Sequence, residues 1–142
     1  MNEDMNDRER AHVQAAYEAG VESITPQDLE KVMKDSATAE AKGGRLGKQF
    51  ENFKLLWSLL KDYYNKTYPH APWKLIAAIV FAVLYLISPI DVIPDAIPIL
   101  GFIDDAFVFS LVIAGFQSEI DDYKVWLAAK KSASSGEIST TN

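Results

Sequence analysis

Apolar positions along this chain keep the helical period, and one stretch has no polar face at all. Leu46, Phe50, Phe53, Trp57, Leu60 and Tyr64 recur at alternating spacings of four and three, with Lys48, Lys54, Lys61 and Asp62 largely off the stripe. That pattern predicts one amphipathic helix with a large aromatic face. Tyr68-Pro69-His70-Ala71-Pro72 ends it, and Pro72 suits the first position of the next helix. Trp73, Lys74 and Leu75 then lead into residues 76–87, which carry no charge. A helix apolar all round is either enclosed by protein or faces lipid. About 15 residues at 1.5 Å rise give roughly 23 Å, short of the roughly 30 Å hydrocarbon core, so alone it hardly spans.

The flanks read as helices too. Ala11, Val13, Ala15, Ala16, Tyr17 and Ala19 favour a helix over 8–19, stopped by Gly20. Thr25 as cap, Pro26 at the first position, Asp28 three residues after the cap and Ile24 set to staple onto Leu29 start a helix predicted to run to Ala41. Gly43 and Gly44 then break the pattern. Residues 88–104 hold Pro89, Pro94, Pro98 and Gly101 among isoleucines, so no regular helix passes through them. Asp104 or Asp105 can cap a last helix, apolar over 106–116 and polar over 117–131, with Lys130 and Lys131 suited to its negative end. Residues 132–142 read as a disordered tail. There is no repeat and no useful strand pattern, and the 97–103 run has no strand partner.

The predicted class is all-α: a small bundle built on an apolar helical hairpin with a Pro/Asp-rich connecting loop. The organisation read from the chain is polar N-terminal helices over 1–42, the hairpin with its preceding basic helix over 43–131, and the tail.

Charge changes this picture. A chain of 142 residues holds one ordinary domain, and its net charge of −6 argues against a nucleic-acid partner. With no cysteine, disulfides and thiolate chemistry are excluded, which fits a reducing compartment. The polar first twenty residues cannot be a secretory signal. Yet residues 42–74 carry seven basic residues against Glu51 and Asp62, a local excess of +5, and no Lys or Arg lies between Leu75 and Tyr123. A basic amphipathic helix before an apolar hairpin suits an anionic cytoplasmic leaflet, with Trp57, Tyr63, Tyr64, Tyr68 and Trp73 as interfacial anchors. The lipid-facing set would be Trp73, Leu75, Ile76, Ile79, Val80, Phe81, Val83, Leu84, Leu86, Phe107, Phe109 and Leu111. The competing reading is a bundle in which residues 73–87 form the central core helix. Partition favours the membrane only because so small a domain has few helices to wrap one.

The loop has a distinctive order: Ser88-Pro89-Ile90-Asp91, then Ile93-Pro94-Asp95, then Pro98-Ile99-Leu100-Gly101 and the pair Asp104-Asp105. From Trp73 to about Val112 the chain resembles the signature of the YkvA-like family, a bacterial-rich family of membrane-associated domains of unknown function. The resemblance implies an all-helical hairpin and a membrane location, and no activity, substrate or cofactor. The stretch from Thr25 to Tyr68 looks like the extension found in one bacterial branch of that family.

Each loop residue also has a local job. Ser88, Pro89 and Asp91 repeat the cap, first-turn proline and third-position acid of Thr25, Pro26 and Asp28; Pro94 with Asp95 repeat it again. Pro98 to Gly101 makes a tight turn. The functional alternative gathers Asp91, Asp95, Asp104 and Asp105 into an oxygen-only site for Ca²⁺ or Mg²⁺, without EF-hand spacing. A third reading has these acids handle protons or cations at membrane depth. His12 and His70 have no paired nucleophile, and the Gly43 to Lys48 stretch lacks P-loop spacing.

The expectation is therefore a non-enzymatic, membrane-associated interaction or envelope accessory protein. It needs no cofactor, has its N-terminal region in the cytoplasm, and takes lipid and a protein partner or second copy as partners. The alternative is a metal-binding or hydrolytic domain using the four aspartates.

Overall fold

A computed structural model describes residues 7–87 and 105–140, leaving the side chains of 9–10, 105–106 and 134–140 outside that description. The described residues form seven α-helices and no strand. They run α1 (Asp7–Ser23), α2 (Pro26–Lys34), α3 (Ser36–Gly43), a 3-10 turn (Gly47–Gln49), α4 (Phe50–Tyr64), α5 (Trp73–Ile87), α6 (Asp105–Gly115) and α7 (Gln117–Thr140). The all-α class holds.

Local chemistry sets most of the boundaries. At α2 the Thr25 amide donates to Asp28 Oδ2 at 2.8 Å, and the Asp28 amide donates to Thr25 Oγ1 at 3.3 Å. This closed capping box satisfies two amides that a helix start leaves orphaned. Ile24 and Leu29, on either side of it, are both buried. The helix expected to reach Ala41 breaks at Asp35, whose φ of −95° and ψ of 23° leave the α region before α3 resumes. Aspartate is a poor helix-interior residue, and here the fold uses it as a joint.

Two glycines expected to break helices have a packing role. α1 runs through Gly20, where an added Cβ would stand 2.7 Å from Phe81 Cδ1 and closer still to Cε1. Gly43 is the buried last residue of α3, and its Cβ would stand 2.6 Å from Phe53 Cδ2. Each is a notch that receives a ring. Gly47, at φ 60°, does make a turn.

α5 is the axis of the molecule. Every residue from Leu75 to Leu86 is buried, and α1, α2, α3, α4 and α6 all pack against it. Tyr17 meets Phe81 edge-on, with ring centroids 5.8 Å apart; Phe53 meets Phe109 in the same way at 5.7 Å. Of the residues expected to face lipid, Leu75, Ile76, Ile79, Val80, Phe81, Val83, Leu84, Leu86 and Phe109 lie in the protein core instead. Phe107 and Leu111 are half-buried, and Trp73 alone is exposed. The reason is that the short N-terminal helices, polar in composition, each contribute a few apolar side chains, and together they enclose α5. No helix among the described residues is long and apolar enough to cross a membrane, so the set expected to face lipid does not form a transmembrane helix there.

The last helix is two, broken at Phe116, where Gly115 ends the apolar α6 and the polar α7 begins. α7 remains helical through Thr140, across residues whose composition suggested a disordered tail. Those residues include no proline, and Gly136 alone does not stop a helix.

Candidate functional site

The most connected polar group of the described bundle ties α4 to α7. Ser58 and Asp62 are four residues apart on α4 and therefore share a face. Tyr123, fully buried on α7, reaches both: its hydroxyl donates to Asp62 Oδ2 at 2.6 Å and lies 2.6 Å from Ser58 Oγ. A phenol has one proton, so with that proton on Asp62 the serine hydroxyl is the donor in the second bond. Asp62 also accepts from Thr67 Oγ1 at 3.1 Å, which ties the end of α4 into the group. Above it lies an aromatic cluster: Tyr68 stands 5.1 Å from Tyr123 and 4.9 Å from Trp126, centroid to centroid, and Lys130 sits 4.9 Å over the Trp126 ring.

The electrostatics hold this group together as a clamp. Burial, and then the hydrogen bond to Asp62, pushes the Tyr123 phenol well above its ordinary range, against a smaller opposing effect of Ser58. Tyr123 is thus a firmly neutral donor. Ser58 spends its proton on Tyr123, and the His70 ring packs against Tyr68 at 5.5 Å, so no Ser–His pair forms here.

A second phenol behaves similarly. The Tyr17 hydroxyl is buried with no partner among the described residues, and burial, with a smaller contribution from Glu18, pushes its pKa up to about 12. Both phenols stay protonated in the fold but ionise near pH 10 in the unfolded chain. For Tyr17 the stability tied to the neutral phenol is therefore whole below pH 10 and is lost as pH rises through about 12, and for Tyr123 the loss extends higher still. Denaturant midpoints should hold to pH 10 and fall steeply beyond. Tyr17→Phe, which deletes an unpartnered hydroxyl, should make that fall shallower while leaving neutral-pH stability unchanged or higher. An equally steep fall in Tyr17→Phe would refute this assignment.

The loop residues Ser88, Pro89, Asp91, Pro94, Asp95, Pro98, Gly101 and Asp104 lie outside the described residues, and Asp105 is seen as the first residue of α6. Among the described residues no three His, Cys, Asp or Glu side chains gather to hold a metal. Of the five expected interfacial anchors, Trp57 and Tyr68 are buried, and the Trp57 indole donates to Glu40 at 2.8 Å. Tyr63 is half-buried, leaving Tyr64 and Trp73 exposed. The clamp was missed by sequence reasoning. Its one signal was the i, i+4 spacing of Ser58 and Asp62, since nothing local announces a partner 61 residues away.

The signature stretch is the one that known proteins share. A family model described as a protein of unknown function (DUF1232) matches residues 75–111, from the start of α5 into α6. The uncharacterized membrane protein YkvA of Bacillus subtilis is 35% identical over 79 residues, covering 56% of this chain and 74% of that protein. The chain belongs to the YkvA-like family. It is a family of unknown function with a membrane protein in it. A shorter likeness, 46% over 41 residues, links the chain to the E3 ubiquitin-protein ligase RNF170 of Xenopus laevis. That match covers 28% of this chain and 16% of the ligase, so it concerns a segment and not the whole enzyme. No solved structure matches the chain.

Proposed function

We propose that this chain is a non-enzymatic, membrane-associated accessory protein, a helical bundle that holds to a bilayer through its own surface and offers its helices to a protein partner or a second copy. The observation that carries the reading is the complete enclosure of α5 in a chain whose relative is a membrane protein. The most apolar helix is occupied with folding, so bilayer contact falls to other surfaces, and the basic stretch over 42–74 supplies the charge for an anionic leaflet. That charge supports a cytoplasmic side for the bundle and its N-terminal helices.

Cell fractionation tests this. The chain should pellet with membranes at physiological ionic strength, and recovery in the soluble fraction would overturn the reading. A melting temperature that rose with millimolar Ca²⁺ or Mg²⁺ would instead favour a cation site built from Asp91, Asp95, Asp104 and Asp105.

A further inference from the structure

The end of the bundle where α4 turns into α5 is unlike the rest of the described surface. Three large apolar side chains are exposed among the described residues, and two of them, Tyr64 at 36% and Trp73 at 38%, lie at this turn. Lys61, Lys66 and Lys74 are exposed beside them, and none is in an ion pair among the described residues. Two neighbouring carboxylates are occupied, Glu30 accepting the Tyr64 hydroxyl at 3.0 Å and Asp62 held in the clamp, while Asp122 stands near Tyr68 on the α7 side.

Two of these lysines sit where folding alone would not put them. Lys66 follows the C-cap of α4 with φ 66°, the left-handed position that glycine occupies without strain. The amides of Thr67 and Tyr68 both bond back to the Asp62 carbonyl, which holds the turn in that form. Lys74 lies in the first turn of α5, which has no acidic residue, so its charge faces the positive end of the helix dipole. Neither placement is one that local helix energetics favours. Trp and Tyr are the side chains that settle at the headgroup level of a bilayer. Among the described residues the opposite end of α5 lacks the exposed rings: Arg45 and Lys48 are exposed there, but Lys42 Nζ is committed to the Ile87 carbonyl at 2.9 Å and Lys54 pairs with Glu51.

We propose that the α4–α5 turn docks on an anionic bilayer surface, with Lys61, Lys66 and Lys74 at the lipid phosphates and Trp73 and Tyr64 among the headgroups. This rests on the membrane-associated reading above and names the surface that carries it out. The test is sedimentation of the full chain with phosphatidylcholine vesicles, with and without phosphatidylglycerol. Binding should need the anionic lipid and weaken with salt. The pair Lys66→Gly and Lys74→Gln should lower partitioning by about fivefold per lysine, from about 1 kcal/mol for each charge near the surface. Lys66→Gly relieves the left-handed strain, so an unchanged or raised melting temperature separates lost binding from lost folding. Arg45→Gln with Lys48→Gln, at the other end, should leave partitioning unchanged.

Undiminished binding by the Lys66/Lys74 pair, or an equal loss in the Arg45/Lys48 pair, overturns the assignment. A chain that pellets with cell membranes but binds neither kind of vesicle also overturns it, while leaving the membrane-associated reading in place. A chain that does neither removes both.

Discussion

Truncating Phe81 to alanine is expected to lower the unfolding free energy by about 3–5 kcal/mol, and truncating Ile79 by about 2–5 kcal/mol. The two residues are two positions apart, which turns them about 200° from one another around α5. Both are at most 2% exposed, so α5 is enclosed on opposite faces. Phe81 fills the notch at Gly20, packs edge-on against Tyr17 and stacks with Tyr85 at 6.3 Å. A helix with one face in lipid would tolerate truncation on that face, because acyl chains close around the smaller side chain. Denaturant titration of both variants decides it: a loss under about 1 kcal/mol at either position would show that this face is not core.

The second large effect is a reversal of sign. Gly to Ala inside a helix ordinarily stabilises by about 0.5–1 kcal/mol. At Gly20 the same change should destabilise by about 1–3 kcal/mol, the typical cost of overpacking, with Gly20→Val worse than Gly20→Ala. The added Cβ meets the Phe81 ring edge, and that ring has nowhere to go between Tyr17 and Tyr85. A double-mutant cycle measures the coupling: Phe81→Leu should recover part of the Gly20→Ala loss. Additive losses would mean that the two residues do not touch, and a stabilised Gly20→Ala would restore Gly20 to its reading as a plain helix stop. Gly43 against Phe53 should follow the same rule.

These two results bear on location. An enclosed α5 has no apolar face to offer a bilayer, so the proposed attachment rests on the surface at the α4–α5 turn, where charge and exposed rings coincide. The clamp of Ser58, Asp62 and Tyr123 then has a mechanical meaning. It fixes α7 to the end of α4 immediately beside that turn, so the lysines and rings are presented from a braced end of the bundle.

Much of the architecture is legible in the sequence alone. The Thr25 box, the α4 stripe, the α5 span and the proline turn between them are written in local chemistry: a hydroxyl to cap an amide, a period of 3.6, a ring that fixes φ. Family membership was legible for a similar reason, since the order of Ser, Pro, Asp and Gly over 88–105 needs no partner to be recognised.

What escaped was everything that depends on a second element. Gly20 and Gly43 look identical to helix stops, because a missing side chain marks a break and a docking notch alike. Ser58 and Asp62 look like surface polar residues until Tyr123 arrives from α7. Above all, the composition of residues 73–87 dictates that α5 must avoid water, whereas the packing of the other helices dictates what replaces the water. Helical period and apolar content are properties of one segment. Whether five other helices supply enough apolar surface to surround it is a property of how they pack, and here they do.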